Sequence, residues 1–180
     1  LRTLQSLNIK YGNLLTDNGV RTLARHPSLQ EIHVTGTGMT AAGVSDLATI
    51  PNLDRLGFHG HAITDEWLAA AAKAPKLVQL YCGYCQDRRG ANLTAAGLAH
   101  LKELKHLYLL DLDSGVIAPG ALAGLPESKQ LTQVFLRKLI VSDDDLAALD
   151  RLPNLAALAL HNTEVTDKGI ATLVKFSKLD

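Results

Sequence analysis

The chain has 180 residues, of which 47% are apolar, and its 18 basic residues balance 18 acidic ones. This length and apolar content exclude a disordered polymer and indicate one domain with a substantial core. The balanced charge gives no indication of nucleic acid or an anionic membrane as a partner. No apolar run reaches the roughly 20 residues that a membrane span needs.

An aliphatic phrase, Leu-x-x-Leu-x-Leu with occasional substitutes, recurs along the whole chain. Its starting residues are separated by 25, 24, 24, 30, 24 and 24 positions, and an eighth start stands 24 residues after the seventh. The seven complete units begin at Leu4, Leu29, Leu53, Leu77, Leu107, Leu131 and Leu155. Such a period indicates stacked repeats, and the alternation within each phrase predicts a β-strand.

A second phrase follows most strands and predicts a short helix. In the last repeat it reads Val-Thr-Asp-Lys-Gly-Ile over residues 165–170. The Thr suits a helix N-cap, and the Asp after it suits the positive end of the helix dipole. The corresponding phrases of repeats five and six are less regular, although Pro119 suits the first turn of a helix. Four prolines end the helical phrases two residues before the next strand phrase: Pro27, Pro51, Pro75 and Pro153.

These units resemble leucine-rich repeats over the entire chain, and the Val-Thr-Asp-x-Gly phrase is most similar to the cysteine-containing or ribonuclease-inhibitor-like bacterial variety. The resemblance implies one α/β domain over residues 1–180. It would be a right-handed solenoid with a parallel β-sheet on its concave face and short helices on its convex face. The family's polar ninth position is held irregularly here, which predicts a patchy ladder of turn hydrogen bonds. Its occupants are Thr37, His61, Cys85, Gly115, Leu139 and Thr163, with Asn13 after a one-residue shift.

Two features concern the borders of the repeats. The fourth repeat carries about six extra polar residues, 86–91, which we expect to project from the rim, either toward a ligand or as a tolerated loop. Neither end of the chain offers a polar capping unit of the kind that solenoids need. We therefore expect the chain to be an excerpt of a longer protein, with end-to-end association through its termini possible.

The repeat frame predicts which residues face a partner. Positions one, four and six of each phrase point inward, so positions two, three, five, seven and eight line the concave sheet. Tyr81, Tyr84, Tyr108, Leu109 and Phe135 are predicted to lie together on this face, over repeats four to six. Such an aromatic patch with a few charges resembles the centre of a protein interface, although Tyr and Phe also stabilise neighbouring strands. Small residues such as Gly57 and Gly83 are expected to leave bare sheet beside this patch. The predicted binding residues are Tyr81, Tyr84, Tyr108, Leu109, Asp111, Phe135, Arg137, His33, His59 and Arg55.

Three groups of residues have a chemical interpretation that the repeat frame disfavours. Cys82 and Cys85 form a C-x-x-C, but both fall on inward positions and are expected to be buried thiols. His33 and His59 lack a third metal ligand and are expected to be solvated. Asp111-Leu112-Asp113 resembles a phosphatase motif, yet the downstream acids at 143–145 start a convex helix. A cross-strand ion pair between Asp113 and Arg137 is the simpler prediction.

The sequence therefore predicts a non-catalytic module that recognises a protein or peptide on its concave face, with no metal and no cofactor. P-loop, nucleophile-elbow and Rossmann fingerprints do not occur. Two alternatives are a structural spacer or scaffold within a multidomain protein, and the substrate-recognition arm of an F-box-like ubiquitin-ligase adaptor. No signal peptide is visible, which favours a cytoplasmic location.

Overall fold

The structure is a computed structural model that describes residues 3–12, 14–61, 63–83, 93–113 and 117–179. Within these ranges seven parallel strands form one open sheet, in which each strand pairs with the next along the chain. The strands are β1 (Ser6–Lys10), β2 (Glu31–Thr35), β3 (Arg55–His59), β4 (Gln79–Gly83), β5 (Leu109–Asp113), β6 (Gln133–Arg137) and β7 (Ala157–Ala159). The seven predicted strands and their order are confirmed. Predictions for Asn13, Tyr84, Cys85, the segment 86–91 and Gly115 fall outside the described residues.

A short helix follows most strands, as the second phrase predicts. The α-helices are α1 (Asp17–Leu23), α2 (Ala41–Leu47), α3 (Asp65–Ala71), α4 (Ala95–Ala99) and α5 (Asp167–Leu173). Tighter 3₁₀ segments extend α4 over His100–Glu103 and stand in place of a helix at Ala121–Gly124 and Asp144–Arg151. In the fifth repeat, Gly120 has a φ of 74° and directly precedes the 3₁₀ turn. The turn therefore begins after Pro119, which does not occupy its first position.

The core is a set of aliphatic rows that run from repeat to repeat. Ile32, Leu56, Leu80, Leu110 and Val134 are successive Cα partners across the strands, and each is 0% exposed. Burying a side chain of this size contributes about 1.5–3 kcal/mol relative to leaving it in water. In the terminal strands the equivalent residues are only half-buried, because they have a neighbour on one side alone. Burial therefore comes from stacking between repeats.

A second connection between repeats runs along the starts of the helices. The Asp17 carboxylate accepts hydrogen bonds from the backbone N–H (2.8 Å) and hydroxyl (2.7 Å) of Thr40 in the next repeat. Asp65 binds Thr94 in the same way, at 2.7 and 2.6 Å. Asp143 binds Thr166 at 2.8 and 2.6 Å. The hydrogen bonds from Thr166 lower the pKa of Asp143 below its usual range.

Glycine makes room for each of these carboxylates. Three residues after the bound Thr stands a buried glycine, and a Cβ on it would overlap a carboxylate oxygen of the preceding repeat's Asp. The glycines that follow this rule are Gly43, Gly97 and Gly169. The repeats before the third and the fifth carry Ala41 and Ala95 in place of the Asp. In the third and fifth repeats the glycine position is held by Trp67 and Ala121. An Asp in one repeat thus accompanies both Thr and Gly in the next.

Thr64 shows what happens when the Asp is absent. It begins α3 in the repeat after Ala41, where the preceding repeat offers no carboxylate. Its hydroxyl caps no backbone N–H, and its Oγ1 is buried without a hydrogen-bond partner in the described part of the chain. The Asp–Thr–Gly set is therefore an interaction between neighbouring repeats as well as a local helix signal.

We predict that Gly97→Ala lowers the free energy of unfolding by about 1–3 kcal/mol, as overpacking does. Helix propensity alone would favour the alanine by up to about 1 kcal/mol, so the two causes predict opposite signs. Chemical denaturation followed by circular dichroism measures the difference. Replacing Asp65 with Ala in the same molecule should recover part of the loss, because the carboxylate that the Cβ overlaps is then gone.

Gly19→Ala is the matched control for this prediction. Gly19 holds the same helix position in the first repeat, where a Cβ would meet only the flexible end of Leu15. We expect this variant to be at least as stable as the parent. An equal gain in stability from Gly97→Ala would contradict the steric role of the Asp65 carboxylate.

Candidate partner-binding face

The strand register places the predicted concave residues in rows. Residues at positions three, five and seven of repeats one to five are paired across the sheet with the residues at the same positions of the next repeat. Between repeats six and seven, positions three and five are paired in this way. The position-five row contains Asn8, His33, Gly57, Tyr81, Asp111, Phe135 and Ala159. The sequence therefore placed these residues correctly along the sheet. Their exposure and their partners differ from the prediction at several positions.

Aromatic rings form a continuous row over β2, β3 and β4. The His33 ring stacks on His59 with centroids 5.9 Å apart and an interplanar angle of 7°. Its centroid also lies 5.3 Å from that of Tyr81, at 46°. His33 reaches Tyr81 across the strand between them because that strand carries Gly57 there, and a Cβ on this glycine would overlap the imidazole.

The prediction that small residues leave bare sheet is wrong at two positions. Gly57 is buried beneath the His33 ring, and Gly83 is buried with Asp113 and His59 as its closest neighbours. A glycine in a strand lets a neighbouring side chain lie flat over the backbone. The chain's own side chains therefore cover the two positions where we expected bare sheet.

Glu31 joins two predicted binding residues. Its carboxylate lies 3.1 Å from His33 Nε2 and 3.6 Å from Arg55 Nε. Glu31 was not among the predicted binding residues. The signal that could have found it is the register, which sets Glu31 directly beside Arg55 in the position-three row.

Gln79 plays the same connecting part among the tyrosines. The Tyr81 hydroxyl donates to Gln79 Oε1 at 2.8 Å, and the amide of Gln79 donates to the Tyr108 hydroxyl. Both rings are half-buried, and burial raises the pKa of Tyr81. Gln79 was also missed, although it is the position-three neighbour of Arg55. This bridge fixes the two rings relative to each other.

Leu109 and Asp111 are less accessible than the prediction requires. Leu109 is 7% exposed even though it lies outside the main core cluster, so it is covered on the concave side. Its neighbours in the position-three row are Gln79 and Gln133. Asp111 is 9% exposed. The prediction that both residues face solvent is therefore wrong.

The buried Asp111 is paired with Arg137. A guanidinium N–H of Arg137 donates to Asp111 Oδ2, and the same guanidinium lies 5.4 Å from the ring centroid of Phe135. The predicted pair between Asp113 and Arg137 is wrong, since Asp113 Oδ1 lies 3.8 Å from Lys138 Nζ. Leaving a buried carboxylate without a partner costs more free energy than leaving an accessible one. The Arg137 side chain therefore extends diagonally across the strands to Asp111, although Asp113 is its direct neighbour in the sheet. Burial raises the pKa of Asp111, and Arg137 opposes that shift.

Comparison with known proteins agrees with this architecture. A family model described as Leucine Rich repeat matches residues 1–24. The crystal structure of an internalin, InlF, from Listeria monocytogenes is similar over 98% of this chain, with a TM-score of 0.69 and 25% sequence identity. The protein has the fold of a leucine-rich-repeat solenoid. Its chain spans 46% of the InlF chain, about half of its length.

Internalin C2 from the same organism gives a second likeness. The similarity extends over 97% of the solenoid and 77% of the internalin C2 chain, with a TM-score of 0.59 and 17% sequence identity. At this identity the likeness shows the fold alone. No curated protein sequence matches the chain. Together, the fold and the internalin neighbours support a protein-interaction module in general terms. The ribonuclease-inhibitor-like variety stays a prediction.

One end of the solenoid's concave face carries a shallow cavity of about 390 Å³. It is lined by Asn8, Lys10, Tyr11, His33, Thr35, His59 and Asp113. Burial, and next the proximity of His33, lower the pKa of His59 below its usual value of 6.5. Lys10 acts in the same direction, and Asp113 opposes it. The cavity thus combines a cation, an anion and two imidazoles.

The chemical alternatives can be placed on the solenoid. Asp111 and Asp113 lie on the concave sheet, while Asp143 bonds to Thr166 at the start of α5, so the acids of the phosphatase-like pattern do not converge. Within the described ranges, no three His, Cys, Asp or Glu side chains are grouped so that they could hold a metal. Cys82 is a buried free thiol whose pKa is raised by burial. No helix in the described part of the chain has the length and apolar character to cross a bilayer.

We predict that the stability of the solenoid falls as the pH drops through the range where free histidine titrates. The pKa of His59 in the folded state lies below its unfolded value of about 6.5, so protonation of this side chain favours the unfolded state. The free energy of unfolding therefore keeps its full value above pH 6.5 and decreases as the pH falls below it. Urea midpoints measured between pH 5 and pH 8 should fall on the acidic side. In His59→Gln the curve should be flatter. It keeps a residual slope, because burial also lowers the pKa of His61.

His161→Gln serves as the comparison, since His161 is an exposed histidine just after β7. It should reproduce the pH dependence of the parent chain. Parallel curves for His59→Gln and the parent would show that desolvation of His59 does not govern this dependence.

Proposed function

We propose that this solenoid is a non-catalytic recognition module that binds a protein or an extended peptide on its concave face. The observation that carries the proposal is the prearranged aromatic and ionic surface over β2 to β6. Tyr81, Tyr108 and Phe135 remain half-exposed there, and hydrogen bonds, ring contacts and an ion pair hold the surface together. Tyr and Arg are the residue types that dominate binding energy in protein interfaces.

Rigidity of the face supports this proposal. The candidate side chains stand on consecutive parallel strands, and three contacts limit their rotation: Gln79 with the tyrosines, Glu31 with His33, and Arg137 with Asp111. Side chains that are ordered before binding lose less conformational entropy in the complex. A partner therefore meets a surface whose shape is already set.

The leucine-rich-repeat fold is typically a recognition domain rather than a catalytic one, and this bears on the same proposal. The concave aspartates lie against Arg137 and Lys138, and Glu31 lies against His33 and Arg55, instead of converging on one reacting position. The rings and the histidine row offer apolar and polar contact area. A protein or peptide ligand fits this surface better than a small substrate does.

The test uses peptides selected from a random library against the immobilised solenoid. Tyr81→Ala and Phe135→Ala should each weaken the affinity of a selected peptide by about tenfold or more, as truncation of a central aromatic residue does. Titration calorimetry or fluorescence anisotropy measures the dissociation constants. Circular dichroism establishes that the repeats remain folded in both variants.

Val174→Ala is the control for truncation of an apolar side chain, because Val174 is 86% exposed and directly follows α5, away from the strands of the concave face. It should leave the affinity unchanged. Peptides that bind all three variants as tightly as the parent would overturn the concave assignment.

A second candidate, a structural spacer, has an observation in its favour. Several polar groups of the face are already bonded to each other, above all Gln79 to the two tyrosines and Arg137 to Asp111. For a spacer, these contacts serve to stabilise neighbouring strands. Tyr81→Ala would then lower the free energy of unfolding while no ligand selected on the parent depends on it.

A further inference from the structure

We propose that the shallow cavity on the concave face binds a carboxylate of the partner, supplied by an Asp or Glu side chain of an extended peptide. We call it the histidine cavity, because the rings of His33 and His59 line it. Its hydrogen-bond donors are Thr35 and His59, with the ammonium of Lys10 beside them. This inference rests on the proposed function, because it assigns the charge that a partner of the concave face carries.

Three neighbouring residues of the position-seven row shape the histidine cavity. Lys10, Thr35 and His59 are successive Cα partners across β1, β2 and β3. Adjacent strands lie about 4.8 Å apart, so a short Thr stands between two longer side chains and leaves a hollow above its hydroxyl. A carboxylate in that hollow lies within reach of all three donors.

Thr35 and His59 offer their hydrogen-bond donors to a ligand. Neither side chain forms a hydrogen bond or an ion pair in the described part of the chain. Both residues stand in strands that are paired on either side, so their positions belong to the interior of the sheet. A further repeat beside β1 would extend the concave face sideways without covering them. The two donors are therefore accessible from the concave side.

The ring of His59 is held in place before a ligand binds. It stacks on His33 with centroids 5.9 Å apart and an interplanar angle of 7°. His33 Nε2 in turn lies 3.1 Å from the Glu31 carboxylate, which also lies 3.6 Å from Arg55 Nε. A donor that is ordered before binding loses less conformational entropy in the complex.

The charges around the cavity favour an anion. Of the described residues that line it, Asp113 is the only acid, and its carboxylate lies 3.8 Å from Lys138 Nζ. The ammonium of Lys10 is close enough to His59 to lower the pKa of that imidazole. Because the acid already faces a cation, the positive charge of Lys10 attracts a carboxylate to the cavity.

The histidine cavity adjoins the aromatic rings of the proposed binding face. The centroid of the His33 ring lies 5.3 Å from that of Tyr81, two strands away. Position seven of β2 and position five of β4 are about 12 Å apart by strand spacing and rise per residue. An extended peptide spans that distance in about three to four residues. We therefore expect its acid at that separation from the residue that contacts Tyr81.

Carboxylate binding at this site is coupled to proton uptake. A carboxylate beside an imidazole stabilises the charged ring, so the pKa of His59 is higher in the complex than in the free solenoid. Affinity for an acidic peptide therefore increases as the pH falls from about 8 to about 5.5, where the carboxylate stays ionised. The other charged or titratable groups that act on His59 are Lys10 of β1, His33 of β2, Asp113 of β5 and His61 after β3, while β4 places Gly83 beside it.

The test uses peptides selected from a random library on the immobilised 180-residue chain, and their amide counterparts, in which each Asp or Glu becomes Asn or Gln. One such replacement should weaken binding about tenfold or more at pH 6, because charge-assisted hydrogen bonds are lost. The acidic peptide should bind at least about threefold more tightly at pH 5.5 than at pH 8, and its amide counterpart should change less. Titration calorimetry measures the affinities, and circular dichroism establishes that the chain stays folded at pH 5.5.

Two variants of the solenoid locate the bound carboxylate. Thr35→Val removes the hydroxyl and keeps the branched shape, and His59→Phe keeps a ring that can stack on His33 but removes the N–H and the charge. Each should weaken binding of the acidic peptide by about five- to tenfold and leave the affinity of the amide counterpart unchanged. His59→Phe should also remove the pH dependence that is specific to the acidic peptide. His161→Gln, which changes the exposed histidine of the same row in the seventh repeat, should match the parent.

Failure of this inference is distinguishable from failure of the proposed function. Peptides that depend on Tyr81 and Phe135 but bind equally well in acidic and amide form overturn the carboxylate site and leave the proposed function standing. The same conclusion follows if the acid is required but neither Thr35→Val nor His59→Phe weakens binding. If no peptide binds, or if the affinity depends on neither Tyr81 nor Phe135, the proposed function fails and the carboxylate site fails with it.

Discussion

The structure depends on one constraint: a repeat of about 24 residues cannot bury its own aliphatic face. Ile32, Leu56 and Leu80 reach zero exposure because each has an equivalent residue on either side. A shift of one residue in any strand would turn its buried row toward water, so the register is strongly determined. All concave and convex positions follow from that register.

The helical side adds specificity to this stacking. Aliphatic rows fit one another in many combinations, whereas a carboxylate needs a Thr to bind and a Gly to leave it space. Asp65 with Thr94 and Gly97 is the clearest case, and Thr64 after Ala41 shows the unpaired alternative. Neighbouring repeats are therefore matched in pairs.

The concave face owes its form to an alternation of small and large residues. Glycine in β3 lets the His33 ring lie over the sheet toward Tyr81, while Arg137 reaches diagonally to the buried Asp111. These contacts cover parts of the face and hold the remaining rings in place. The result is a surface with little freedom to rearrange, which suits recognition through a fixed pattern of rings and charges.

The sequence by itself determined the seven strands, their order, the inward rows and the concave positions, because burial and strand alternation depend only on spacing along the chain. It also indicated which aromatic residues share the face. Only the tertiary structure decided that Leu109 and Asp111 are covered, that Gly57 lies under His33, and that Arg137 binds Asp111 instead of Asp113. These outcomes depend on how far long side chains extend across strands and on which carboxylate is most deeply buried. A repeat pattern contains neither quantity.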